Sequence, residues 1–573
     1  MPPSPSLVLG PLLRHVDQTT ATVWVETDRA ATVTVARGAV TASARTFAVH
    51  GHHYALVDLD GLAPGTCEPY SVVLVDDEGN GAAAWPEAGS PFPPPVIATL
   101  GTGRSLRLLY GSCRTSVPHD ASGNSTHGVD ALRAYALRLA GLVPAAAGEE
   151  ELGDPGWPDL ALFLGDQVYA DETSDEMRDF VAARRSLDEP PGEELKDYAE
   201  YAHLYLLAWG DPANRWLLST VPSAMVFDDH DVRDDWNTSL SWRRRMEATE
   251  WWHGRIVAAL SSYWVHQHLG NLSPAERLED PLWARVRAHE GPDELDLSEA
   301  LDAFAAVVDQ QPEAYRWSFD RRFGDLARLV MVDSRAARVL DPDRRSMLDP
   351  GEMSWLDGRM RGDVDHLLVG TSVPFLLAPG LHHVEAFSEA LAQGAWGRTA
   401  GRVGERLRQL VDLEHWAAFQ DSFQRVARMA VEVARGERGA APSSVAFLSG
   451  DVHHSYVSEA RVPGDHAGTG MRSRFVQAVC SPIRNPLSRN MRFATAALSY
   501  GVAGPLGRLV SRSAHVPPAP LEWRYAQGPW FDNNVALLEL EGADARFRWF
   551  TGRVVDGVHE APQLATVADH RLR

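Results

Sequence analysis

Four short apolar runs of strand length each end, without a spacer, in a cluster of metal-ligating side chains. Leu106–Ser116 (LRLLYGSCRTS) ends in Cys113. Leu162–Asp171 (LFLGDQVYAD) ends in Asp166, Tyr169 and Asp171. Ala224–Asn237 (AMVFDDHDVRDDWN) packs five aspartates and a histidine into eight residues. Val445–Val457 (VAFLSGDVHHSYV) ends in Asp451, His453 and His454. Ligand sites of open α/β sheets lie beyond the carboxyl ends of their strands. Four such ends, tens to hundreds of residues apart, can therefore converge on one site.

The pattern between these runs supports that fold class. Further apolar runs at Leu329–Val332, Leu367–Val369 and Phe475–Val479 alternate with candidate helices at Glu194–Trp209, Trp242–His268 and Arg402–Arg435. Buried strands alternating with helices indicate an α/β (α+β) domain. The closing runs Asn534–Leu540 and Ala545–Phe550 read as a hairpin, and the acidic stretch Gly291–Glu299 as a solvated loop. The first hundred residues differ. Ala21–Asp28 and Ala31–Gly38 alternate at period two, and Tyr70–Val75 ends in an Asp-Glu-Gly-Asn turn, which together suggest a small β-sandwich. The proline-rich Pro86–Pro95 is an extended connector. The expected division is residues 1–98, an N-terminal β-sandwich, and residues 99–573, a catalytic domain with a C-terminal hairpin. Two histidine pairs, His52 with His53 and His382 with His383, read as surface features.

Charge is the physical case for metal. Asp166, Asp228, Asp229, Asp231 and Asp451 cannot all be ionised in one cleft unless cations neutralise them. The donors are mixed: thiolate, carboxylate, phenolate and imidazole. A hard cation alone needs neither the thiolate nor the imidazole, so the set suggests a transition metal beside an oxygen-liganded metal. Singly, each cluster has a structural reading: Cys113 as an inert thiol, Asp228–Asp235 as a capping or solvated loop, Asp166 as a turn, His453 and His454 as a surface pair. Their coincidence at four strand ends weighs against that. A formal charge of −23 disfavours general nucleic-acid binding, although local cations can still attract an anionic substrate. No run approaches the ~18 apolar residues of a membrane span. Three scattered cysteines give no disulfide framework, and the N-terminus lacks a signal pattern and a twin-arginine pair, so a cytoplasmic location is expected.

These motifs, Gly-Ser-Cys, Gly-Asp-x-x-Tyr-Ala-Asp, Asp-Asp-His-Asp and Gly-Asp-Val-His-His-Ser, resemble those of the PhoD-like (alkaline phosphatase D type) metallophosphatase family. The resemblance extends to Gly10–Arg14 leading into ATVWVET and to the closing WFDNNVALLELEG, Trp530–Gly542. It implies an N-terminal β-sandwich followed by a sandwich of two mixed β-sheets flanked by helices. It further implies ferric iron held by Cys113, Asp166, Tyr169 and His453. Asp166 would bridge to calcium, whose site Asp229 and Asp451 complete; other divalent metals fit the same donors. His230 would act on the substrate as general acid or phosphate donor, Arg335 would contact phosphate oxygens, and His454 is a further candidate substrate contact. The expected activity is phosphoester hydrolysis, of monoesters and/or diesters, by a metal-activated hydroxide. Expected substrates are phosphate-ester small molecules or phospholipid-type esters. Two other readings compete: a metal-dependent lactonase or amidase, and a non-catalytic binding protein that kept the fold.

Overall fold

The period-two alternation of the first hundred residues builds two antiparallel sheets. Their strands are β1 (Leu7–Val16), β2 (Ala21–Thr27), β3 (Thr32–Arg37), β4 (Val40–Arg45), β5 (Phe47–Val49), β6 (His52–Leu59), β7 (Cys67–Val75), β8 (Gly81–Trp85) and β9 (Val96–Ala98). One sheet has the order β1-β2-β6-β5; the other is β4-β3-β7-β8, with β9 on β7. The computed structural model describes residues 4–144, 156–397, 413–464, 470–487 and 503–572, together with 399, 401, 402, 404 and 408. Leu13, Val23, Val25, Val33, Val35, Val57 and Leu74 fill the space between the two sheets. The outer face of the first sheet is also covered. Leu12, Trp24, Phe47, Tyr54 and Leu56 join a core made largely of helices from the rest of the chain. The acidic stretch at 291–299 corrects the sequence reading: β13 (Leu295–Asp296) pairs with β5, and Glu294 meets His53 at 2.7 Å. Backbone pairing and one ion pair hold it on the sheet.

Two larger sheets stack face to face in the remainder. The first contains β10 (Ser105–Gly111), β11 (Leu160–Leu164) and β12 (Ser223–Val226). The second contains β14 (Phe319–Phe323), β15 (Ala327–Val332), β16 (His366–Thr371), β17 (Ser444–Ser449), β18 (Ser455–Arg461), β19 (Arg474–Val479) and β20 (Glu522–Trp530). The first is completed by β21 (Val535–Glu541), β22 (Asp544–Val555) and β23 (Val558–Leu572). The orders are β12-β11-β10-β21-β22-β23 and β14-β15-β16-β17-β19-β18-β20. Both sheets are mixed: β10, β11 and β12 run parallel, as do β15, β16, β17 and β19, while the remaining pairings are antiparallel. Alternate residues of each central strand serve two cores. Leu162, Leu329, Leu368 and Leu448 meet between the sheets, whereas Phe163 faces one helical layer and Val330, Val369 and Phe447 face the other. Burial on both faces explains why these strands read as continuous apolar runs.

Helix boundaries depart from the apolar pattern for local reasons. The helix expected over Glu194–Trp209 starts at Tyr198, because Asp197 caps the Glu200 N–H. The helix expected over Trp242–His268 is two, Leu240–Glu247 and Trp252–Tyr263; Trp242 packs edge-on against Trp252 across the break. Of Arg402–Arg435, the helix Gln420–Arg435 is seen; residues 403, 405–407 and 409–412 lie outside the described residues. His382 is buried against Phe423 and Trp523, which corrects its reading as a surface residue. No helix among the described residues is long and apolar enough to cross a membrane.

Candidate metal centre

The turns after β10, β11 and β12 meet those after β15, β17 and β19. The glycines of the two Gly-Asp pairs leave room for side chains from neighbouring turns. A Cβ on Gly165, whose φ is +100°, would lie 2.6 Å from Asp228 Cβ, and one on Gly450 would lie 2.0 Å from Ser112 Oγ. Immediately beyond them, Cys113, Asp166, Asp451 and His453 all have φ between +50° and +67°. Non-glycine residues seldom adopt this region, and it concentrates at functional sites. Neighbouring turns share the constraint through the Cys113 N–H to Gly165 O (3.3 Å), the Arg114 N–H to Asp166 O (3.0 Å) and the Asp451 N–H to Ser112 Oγ (3.0 Å).

Four carboxylates, of Asp166, Asp228, Asp229 and Asp451, present ligand atoms within 4.8 Å of one another. Cys113 Sγ lies 3.3 Å from Asp166 Oδ2, and the Ser112 and Ser481 hydroxyls lie 3.1 and 3.3 Å from the sulfur. Tyr169 Oη lies 3.4 Å from His453 Nε2. All six residues expected to bind metal are thus brought together at one place, and Asp228 joins them. His230 stacks on Tyr169 and holds Asp171 Oδ1 at 2.9 Å through Nδ1.

The electrostatics of this cluster favour a bound cation. Burial raises the carboxyl pKa of Asp166 well above the usual range, and Cys113 and Asp228 add to the effect. Burial likewise raises Asp228 and Asp229, with Arg335 opposing it in both. The Cys113 thiol is pushed up to about 12 by burial and by Asp451. Asp166 Oδ1 and Asp228 Oδ2 are buried without a hydrogen-bond partner among the described residues. Buried oxygens left unpaired and mutually repelling are costly. A multivalent cation removes both penalties and stabilises the thiolate. The residues present therefore fit a metal centre.

Two sequence expectations change in character. Arg335 is fully buried, and its guanidinium faces Asp228, Asp229 (3.0 Å) and Glu414 (2.5 Å) rather than open space. In this arrangement it balances the carboxylates. His454 is 3% exposed, with Nδ1 on Val452 O at 2.6 Å and its ring against Tyr456. The sequence reading also missed residues. Asp451 Oδ2 meets His415 Nε2 at 2.9 Å, and His415 Nδ1 meets Glu385 Oε1 at 2.6 Å. Asp231 accepts the backbone N–H groups of Asp166 and Asp228 on one oxygen, at 2.9 and 2.8 Å. Asp231 was named among the clustered carboxylates without this role, whereas nothing in the sequence marks His415 or Glu385.

A model of the PhoD-like phosphatase family matches residues 150–500. The chain belongs to the PhoD-like phosphatase family. A second model, a domain of unknown function (DUF7800), matches residues 4–97. A solved PhoD structure is similar over 99% of this chain and 90% of that one, with a TM-score of 0.56 at 13% identity, a likeness of fold. The purple acid phosphatase PPD1 from yellow lupin (Lupinus luteus) seeds aligns over 96% of this chain and 72% of its own, with a TM-score of 0.49 at 9% identity. No curated protein sequence matches the chain. Membership identifies this PhoD-like chain as a phosphatase-type enzyme, and it is the family that its four motifs resemble.

Proposed function

We propose that the protein hydrolyses phosphate esters at a metal centre held by Cys113, Asp166, Tyr169, Asp229, Asp451 and His453. Iron(III) is assigned to Cys113, Asp166, Tyr169 and His453, and calcium to Asp166, Asp229 and Asp451. The observation that carries this reading is the cluster of carboxylates within 4.8 Å of one another, two of them with unpaired buried oxygens, beside a thiol, a phenol and an imidazole. The division at residues 98 and 99 belongs to the same reading. Bound there, the metals supply Lewis acidity at a phosphoryl oxygen and lower the pKa of an attacking water.

The chain's own residues do the rest. His230 has its Nδ1 fixed by Asp171, and Nε2 is the atom that passes a proton to the leaving oxygen. Burial opposes protonation of this ring, but Asp171, Asp229 and Asp166 together raise its pKa well above the ordinary value. Arg335 holds Asp228 and Asp229 in place, and Asp231 fixes the turns that carry Asp166 and Asp228. Substrates are small phosphate esters, as mono- or diesters.

The test is metal analysis with a visible spectrum, followed by assays on p-nitrophenyl phosphate, its bis-ester and a lactone. Thiolate and phenolate on iron(III) give a coloured protein that bleaches on reduction. Asp166→Asn keeps a residue type tolerant of positive φ and removes one ligand charge. Its phosphatase turnover is expected to fall roughly 100-fold or more. Turnover of the lactone alone, or an Asp166→Asn variant as active as the parent, sinks the proposal.

A further inference from the structure

The second Trp-rich helix does not run regularly into its end. Trp252–Tyr263 continues into a π turn, Trp264–His268, before a last α turn, Leu269–Asn271. A π turn shifts the hydrogen-bond ladder by one residue, and such turns recur at functional sites. Three backbone carbonyls of this turn accept side chains from the N-terminal sheet. Trp24 Nε1 donates to Val265 O (3.0 Å), and Arg14 donates through Nη1 to His266 O (2.6 Å) and through Nη2 to Gln267 O (2.7 Å). Arg14 is fully buried. It passes directly over Gly270, where a Cβ would lie 2.4 Å from Nε and 2.5 Å from Cζ. The absence of a side chain at 270 is what admits the guanidinium.

The same turn points a side chain toward the metal centre. Gln267 Nε2 donates to Tyr205 Oη (2.9 Å) and to Asp231 Oδ1 (3.3 Å). Asp231 in turn accepts the N–H groups of Asp166, Val168 and Asp228. A continuous series of buried hydrogen bonds therefore links strand β1 of the N-terminal sheet to the two turns that carry Asp166, Asp228 and Asp229.

We propose that Arg14 and Gln267 are positioning residues, through which the N-terminal sheet sets the π turn and the π turn holds the Asp166 and Asp228 backbones for metal binding. This assigns a task to the segment that matches a domain of unknown function. The effect on metal rests on the metal-centre reading; the effect on backbone protection does not.

Physical linkage of this kind needs coupling evidence. The informative variants of the full chain are Gln267→Met, which removes the donor, and Gly270→Ala, which obstructs Arg14 while favouring a helix locally. Val35→Ala is the control, because it opens the sandwich core and touches none of these groups. Amide hydrogen exchange on chelator-treated protein, under native conditions where local opening dominates, reads residues 160–170 and 224–232. Both test variants are expected to exchange about tenfold faster there with β22 unchanged, and Val35→Ala is expected to leave these segments at the parent rate. In metal-loaded protein, both test variants are expected to yield metal to about tenfold less competing chelator. Parent-like exchange in Gln267→Met and Gly270→Ala, or equal acceleration in Val35→Ala, overturns the inference. A parent that binds no metal would instead overturn the metal-centre reading, and the exchange result would still decide this one.

Discussion

At the scale of the residue, the centre depends on groups that do not themselves offer ligands. Asp451 is held by His415, and His415 by Glu385, a carboxylate–imidazole–carboxylate series in which every member is largely buried. Partners of this kind fix ligand orientation, and losing one costs about 10–100-fold in metal affinity. His415→Gln is therefore expected to weaken retention of the calcium assigned to Asp451 about tenfold. The visible band from the Cys113 and Tyr169 set should remain. A chelator titration followed by metal analysis measures both, and equal loss of both metals would contradict the division into two sites. Legibility follows chain position. Cys113, Asp166, Asp229 and Asp451 could be read because each directly follows an apolar run. His415 precedes a short 3-10 turn, Trp416–Ala418, within a stretch that reads as one long helix. Arg335 was visible as an arginine after a strand, but a sequence does not tell whether a guanidinium meets substrate or neighbouring carboxylates.

At the scale of the element, strands were legible and helix ends were not. Runs buried on both faces announce themselves, so β19 lies within one residue of the run expected at Phe475–Val479. Strand β23 escaped notice because it is rich in polar residues, includes Pro562 and forms the edge of its sheet. The π turn was equally hidden, since it interrupts no apolar pattern. It has a measurable consequence for acid stability. Burial pushes the pKa of both His266 and His268 down to about 3. Between pH 6.5 and about 3, the unfolded chain binds protons at these rings that the folded chain does not. Their effect is thus absent above pH 6.5 and increasingly destabilising below it, by at most about 1.4 kcal/mol per pH unit for each ring. Replacing His266 with Phe, between Tyr205 and Trp24, should flatten the fall in stability from pH 6.5 to 4.5. Denaturant titrations across that range test this, and an unchanged slope would rule it out.

At the scale of the whole molecule, the proposed ligands come from both large sheets, so bound metal fastens one sheet to the other. A ligand that binds only the folded chain adds about 2.7 kcal/mol at a hundredfold excess over its Kd. Chelation is expected to lower the Tm by a few degrees and metal return to restore it, as scanning calorimetry would show; a Tm indifferent to chelator would count against a shared centre. What sequence could not reveal at this scale is how the N-terminal sheet joins the rest. Arg14 and His266 are 252 positions apart, and no local pattern encodes such a meeting. The spread of the ligands along the chain also orders events during synthesis. Cys113, Asp166, Tyr169 and Asp229 leave the ribosome early, but Asp451 and His453 follow more than 200 residues later, and β21, the partner of β10, comes later still. Through the 222 residues from Asp229 to Asp451 a nascent chain holds four of the six proposed ligands, so metal insertion is expected to be a late event that falls after β17 of the second sheet has been made.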